Sequence, residues 1–74
     1  MKLKQLAKRV TESPGLLHQL SLRALRRYIK EAPIEQLVSE VEEIDDAASL
    51  RALWEAGLSS EMQDVVLKRL EKMR

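Results

Sequence analysis

Apolar residues recur at intervals of three and four along most of the chain, and this spacing constrains the fold more than any other feature of the sequence. Between Leu3 and Val10 the apolar positions are 3, 6, 7 and 10, which places them on one side of an α-helix. The β-branched residues that favour strands occur mostly as isolated positions within the same helical spacing. The sequence therefore predicts an all-α fold.

Prolines divide the first half of this pattern into three helical segments. Helix one is expected to end near Thr11. Ser13 followed by Pro14 predicts an N-cap with proline in the first helical position, and helix two should run from there to about Glu31. Pro33 ends helix two and can open helix three.

Small polar residues and one glycine delimit the last two segments. An aspartate at position 45 or 46 is expected to cap helix four, and Gly57 should supply the left-handed residue just past its end. Ser59 or Ser60 is expected to cap helix five, where Ser60 and Gln63 resemble a capping box. The two helices are thus predicted to be joined by a tight turn.

The apolar faces of these helices predict a single small core. A chain of 74 residues is one domain at most, and we expect residues 1–74 to form a compact bundle of about five short helices arranged as helical hairpins. Trp54 is placed in the core because the sequence has no Phe, although a partly exposed anchor for a partner is the alternative. The predicted core consists of Leu6, Leu20, Leu25, Ile29, Leu37, Val41, Leu53, Trp54, Val66 and Leu70.

The amino-acid composition argues against several cellular locations and against several classes of functional site. The sequence contains no Cys, so disulfides, thiol chemistry and thiolate metal sites are excluded. The Lys-rich start is not followed by the apolar run of a secretory leader, and no segment approaches the length of a membrane span. We therefore expect a complete, cytoplasmic chain with no membrane association.

Catalytic and metal-binding patterns are also missing from the sequence. His18 is the single histidine, and the serines near the predicted turns are explained as helix caps, so an enzyme and a cofactor are not expected. The acidic run at residues 40–46 lacks the spacing and the glycine of a calcium loop. We predict no metal site.

Charge is segregated along the chain although the net charge is only +1. Residues 1–30 and 65–74 are basic, whereas residues 31–64 are strongly acidic, a layout typical of complementary binding surfaces. A solvated helix face is the other interpretation of the basic positions. The candidate partner-binding or phosphate-binding residues are Lys4, Lys8, Arg23, Arg26, Arg27 and Lys30, and the candidate acidic docking face consists of Glu35, Glu42, Glu43 and Asp46.

The stretch LRALWEAGLSSEMQ, residues 50–63, resembles the helix-turn-helix of DNA-binding regulators, including the mercury-resistance regulator family. This resemblance implies a recognition helix in the major groove. The first turns of that helix would present Glu61 and Asp64 to the phosphates, whereas acidic residues there suit the dipole of the helix itself. A capped turn is therefore the favoured interpretation.

Two longer stretches, LKQLAKRVTESPGLLHQLSLRAL and LRALWEAGLSSEMQDVVLKRLEKM, are similar to the helix pairs of HEAT-type and armadillo-like repeats. The resemblance implies stacked helix pairs whose concave face binds other proteins. The usual Asp of the turn and Arg of the following helix are absent. Two pairs are also fewer than a solenoid normally needs, so a minimal bundle or assembly with copies of itself is expected.

These observations lead to two functional hypotheses. The first is a small non-enzymatic protein–protein interaction module, whose partner is an unknown protein or a second copy attracted by the segregated charge. The alternative is a small nucleic-acid-binding protein that contacts phosphates through helices one and two.

Overall fold

The computed structural model of the protein describes residues 3–73, and these residues form helices joined by short turns without any strand. The helices lie in a body with axes of 31 × 27 × 20 Å. The predicted all-α bundle of five short helices is confirmed. The helices are α1 (Leu3–Glu12), α2 (Gly15–Glu31), α3 (Ile34–Glu42), α4 (Ala47–Ala56) and α5 (Ser60–Lys72).

Side-chain caps begin α4 and α5, as the sequence predicts. The Asp46 carboxylate accepts hydrogen bonds from the backbone N–H of Ser49 at 2.9 Å and from its hydroxyl at 2.8 Å. The Ser59 hydroxyl accepts from the backbone N–H of Met62 at 3.3 Å. Each cap satisfies a donor that the first turn of a helix leaves unpaired.

The predicted cap of α2 is wrong. The Ser13 hydroxyl turns back toward α1 and donates to the carbonyl oxygen of Arg9 at 2.6 Å. The N-cap position is taken by Pro14, which offers no side-chain acceptor, and the helix begins at Gly15 with a φ of +52°. A residue without a Cβ adopts that backbone conformation without strain.

The turn between α4 and α5 matches the sequence in one respect and differs in another. Gly57 has a φ of +103°, and its N–H donates to two carbonyl oxygens in the last turn of α4 at 3.2 and 3.1 Å, as expected of a glycine that ends a helix. The side-chain amide of Gln63 donates to the carbonyl oxygen of Leu58 at 3.2 Å. The capping box predicted for Ser60 and Gln63 is therefore not formed.

One hydrophobic cluster joins residues of all five helices. Within it, α1 packs mainly against α2 and α4, while α5 packs mainly against α3. Six of the ten predicted core residues are buried in this cluster, which confirms most of the apolar pattern. They are Leu6, Leu25, Leu37, Val41, Leu53 and Val66.

The remaining predicted core residues lie nearer the surface. Leu20 is 58% exposed and Trp54 is 36% exposed, so their assignment to the core is wrong. Trp54 stays outside because the adjacent Leu53 faces the core, and neighbouring residues of a helix point about 100° apart. Ile29 and Leu70 are half-buried and pack against the cluster.

Glu40 is a buried carboxylate that joins three helices. Its Oε2 accepts a hydrogen bond from the backbone N–H of Leu3 at 2.5 Å, in the first turn of α1. Its Oε1 accepts from the hydroxyl of Tyr28 at 2.6 Å and from the amide of Gln36 at 2.8 Å. Burial, and next the hydrogen bond to Glu40, raise the pKa of the Tyr28 hydroxyl. A residue of the predicted acidic run thus has a structural role.

Candidate interaction surface

Three leucines of α2 lie on the outside of the protein. Leu16 is 85% exposed, and Leu17 and Leu20 are each 58% exposed. We call these three residues the leucine surface. Large apolar side chains grouped in this way on a small protein mark sites of interaction more often than isolated ones do.

The packing of α2 explains why these leucines face outward. Leu22 and Leu25 are buried against the neighbouring helices, and they fix the side of α2 that faces the core. Leu20 precedes Leu22 by two residues, which is about 200° around a helix. Since α2 carries leucines around much of its circumference, some of them must point to solvent.

A shallow groove of about 470 Å³ opens beside the leucine surface, between α1 and the outer side of α2. Leu6, Leu20 and Ala24 give it apolar walls, and Tyr28 lies at one end. The small side chain of Ala24 leaves room that a larger residue would fill. Arg23, Arg27 and Glu31 complete its lining.

The candidate cations of α2, which are Arg23, Arg26, Arg27 and Lys30, have different roles. The Arg26 guanidinium donates through Nε to the carbonyl oxygen of Ala56 at 2.8 Å, where a cation stabilises the C-terminus of α4. Nε of Arg27 donates to Oε1 of Glu31 at 3.0 Å in an exposed pair. The side chains of Arg23 and Lys30 are exposed, and neither makes a hydrogen bond or ion pair with residues 3–73.

The two candidate cations of α1 face an acidic loop of the same chain. Nζ of Lys4 lies 3.9 Å from Oδ2 of Asp45, and the charge of Lys8 acts on Asp46. Burial acts to raise the pKa of Asp46, but the hydrogen bonds from Ser49, with a smaller contribution from Lys8, bring it below its usual range. The structure therefore does not join α1 and α2 into one outward-facing basic surface.

The candidate acidic docking face is also divided. Asp46 is the N-cap of α4, whereas Glu35, Glu42 and Glu43 are exposed on or beside α3. Glu42 lines a groove that it shares with Lys68, Arg69 and Lys72 of α5, so cations of this chain lie near its carboxylate. Arg69 also donates to the carbonyl oxygen of Ile44 at 3.0 Å, which ties α5 to the loop after α3.

His18 is part of a contact between helices that no local sequence pattern indicates. Its Nε2 lies 2.6 Å from Oε2 of Glu55 on α4, and its Nδ1 lies 3.1 Å from the carbonyl oxygen of Val10. Both nitrogens donate when the ring is protonated. The hydrogen bond to Glu55, followed by that to Val10, raises the pKa of His18 above its usual 6.5.

We expect stability to fall as the pH rises through this raised pKa of His18. The folded protein holds the proton more tightly than the unfolded chain, so the His18 contribution is fully present below pH 6.5 and is lost above the folded pKa. Urea unfolding at pH 6.0 and pH 8.5 should show this decrease. His18→Gln should abolish it, and an unchanged pH dependence in that variant would contradict the assignment.

Among residues 3–73 no group of three or more metal-binding side chains comes together, and no helix there has the length and apolar character needed to cross a membrane. No protein-family model, no curated protein and no solved structure matches this chain. The resemblances to HEAT-type repeats and to helix-turn-helix regulators stay predictions.

Proposed function

We propose that this chain is a small non-enzymatic module that binds another protein through the leucine surface of α2. The observation that carries this proposal is the exposure of Leu16, Leu17 and Leu20, which are 85%, 58% and 58% accessible to solvent. Covering such side chains removes apolar area from water, the main favourable contribution to most protein association.

Structural roles account for the polar side chains that catalysis would otherwise use. His18 bridges α2 to Glu55 of α4, and Ser49 donates to the capping carboxylate of Asp46. The hydroxyl of Ser59 is itself a helix cap. These engagements use the polar side chains to cap helices and to join them, which supports a binding role over a catalytic one.

The nucleic-acid alternative depends on fewer residues than the sequence pattern suggested. Arg26 is bound to the C-terminus of α4, and Lys4 is directed at Asp45. Arg23, Arg27 and Lys30 are left on the outer part of α2. With the exposed Lys8 of α1, four phosphate contacts would give a salt dependence with a slope of about −3.6.

Site-specific crosslinking tests the proposed function. The protein carries Leu20→p-benzoylphenylalanine in the cells that produce it naturally, and irradiation should give a discrete adduct with another protein, identified by mass spectrometry. The matched control is Leu67→p-benzoylphenylalanine, because Leu67 is an exposed leucine of α5. The adduct should be absent at position 67 and should be lost when Leu16→Gln and Leu17→Gln are added.

Two results would overturn the proposal. One is an identical set of adducts from positions 20 and 67, which would mean that the leucine surface has no special affinity. The other is micromolar binding of random-sequence duplex DNA, followed by fluorescence anisotropy, that weakens steeply between low salt and about 150 mM salt. That second result would favour the nucleic-acid alternative.

A further inference from the structure

We infer that the segment covering the leucine surface is an acidic amphipathic helix of a different protein. This inference rests on the proposed function and specifies the chemistry of its partner. It follows from the shape of the groove beside Leu20 and from the charges around that groove. It also follows from the side chains that a second copy of this chain could place against the surface.

Apolar residues of this surface are spaced one helical turn apart, so a second helix can pack along them. Leu16 and Leu20 are one turn apart, and Ala24 follows one turn later, so the three lie along one line of α2. The groove of about 470 Å³ lies beside the last two of these positions. A helix laid along α2 would cover Leu16 and Leu20 and insert a large apolar side chain beside Ala24, as amphipathic helices do in hydrophobic grooves.

The charges that line the groove are positive by a margin of one, since Arg23 and Arg27 outnumber Glu31. Arg23 and Arg27 line the groove, and residues 15–30 of α2 include no acidic residue. Glu31 pairs with Arg27, but both side chains are largely exposed, and such pairs are weak enough to exchange partners. A guanidinium binds a carboxylate through two parallel hydrogen bonds. Glutamates on the flank of the incoming helix would therefore meet both arginines, whereas lysines there would be repelled.

A second copy of this chain fits the surface less well. In a two-fold dimer the same patch faces itself, so the four arginines of the two grooves would meet with only the two Glu31 carboxylates to balance them. In a head-to-tail contact, Glu35 and Glu42 of α3 would supply negative charge to the arginines of the groove. Outside α2, the large apolar side chains exposed among residues 3–73 are Ile34, Trp54 and Leu67, one on each of three helices, so no single helix of a second copy can cover three leucines.

The test uses synthetic probe peptides and the whole chain labelled with ¹⁵N. The first peptide is a capped helix of about 18 residues with leucines at i, i+3, i+4 and i+7 and glutamates on its flanks. The second has lysine in place of each glutamate. Titration followed by ¹H–¹⁵N correlation spectra should show saturable shifts centred on residues 16–27 with the acidic peptide, and binding about tenfold weaker with the basic one.

A charge reversal makes the prediction specific. Arg23→Glu together with Arg27→Glu should invert the preference, so that the basic peptide binds more tightly than the acidic one. The matched control is Arg51→Glu, since Arg51 is an exposed cation on α4, and this variant should keep the preference for the acidic peptide. The arginines concerned are exposed, so circular dichroism should show all of the variants folded.

Four outcomes would overturn the inference. The first is equal binding of the two peptides, and the second is shifts spread outside α2. The third is a dimer in sedimentation equilibrium that Leu20→Glu dissociates, because a second copy would then occupy the surface. A position-20 crosslink to a protein whose contacting segment is basic would also reject the acidic helix, while leaving the proposed interaction function supported.

Discussion

Leu53→Ala is expected to lower the free energy of unfolding by about 2–5 kcal/mol. The Leu53 side chain is completely buried in the cluster shared by the five helices, so the substitution removes packing and leaves a cavity. Leu20→Ala makes the same chemical change on a side chain that is 58% exposed, and it should lower the free energy of unfolding by less than about 0.5 kcal/mol. Urea unfolding followed by far-ultraviolet circular dichroism measures both values.

The comparison tests the orientation of α2 directly, since the apolar spacing of the sequence placed both leucines in the core. Leu67→Ala serves as a second exposed reference, on α5. A loss for Leu20→Ala as large as that for Leu53→Ala would contradict the outward position of Leu20. It would also remove the basis of the proposed function.

Glu40→Ala is expected to lower the free energy of unfolding by about 3 kcal/mol. The substitution leaves the backbone N–H of Leu3 and the hydroxyl of Tyr28 without the carboxylate that accepts from them. Unsatisfied buried donors are unfavourable, and hydrogen bonds to a charged acceptor are among the stronger ones. Urea unfolding gives the loss, and amide hydrogen exchange in α1 should accelerate because its first turn loses an acceptor.

Two variants serve as references for Glu40→Ala. Glu43→Ala removes an exposed carboxylate just after α3 and should change the free energy of unfolding by less than about 0.5 kcal/mol. Glu40→Gln keeps one acceptor oxygen and should have an intermediate effect. If Glu40→Ala were as stable as Glu43→Ala, the buried carboxylate would contribute nothing to the packing of α1.

The features predicted correctly from the sequence depend on residues that are close together in the chain. Asp46 caps α4 through Ser49, three residues away, and Ser59 caps α5 through Met62, also three residues away. Gly57 ends α4 through contacts with the preceding turn. Propensities and caps of this kind act within one helical turn, so the amino-acid order is sufficient to reveal them.

The orientation of α2 could not be predicted in the same way. Leu16, Leu17, Leu20, Leu22 and Leu25 occupy most of the circumference of this helix, so the helical period allows more than one buried side. The positions of α1 and α4 decide which leucines are covered. The leucine surface was therefore missed, although a helix apolar on several sides is a sign that one side needs a partner.

Contacts between distant residues lie outside what local patterns can show. Glu40 and Leu3 are 37 residues apart, and Arg26 and Ala56 are 30 apart. The one local sign at Glu40 is its position next to the buried Val41. The basic residues of α2 are evident from the sequence, but their separation into capping, paired and unpaired side chains requires the tertiary structure.

The two sides of α2 have different consequences for how such a chain changes during evolution. Substitutions of Leu22 or Leu25 alter the core and are limited by the need to fold, whereas substitutions of Leu16 or Arg23 alter exposed side chains and are nearly neutral for stability. Under the proposed function, partner preference can therefore drift or be redesigned on one side of the helix while the other side preserves the fold. The proposal thus assigns to a single 17-residue helix separate selection for recognition and for stability.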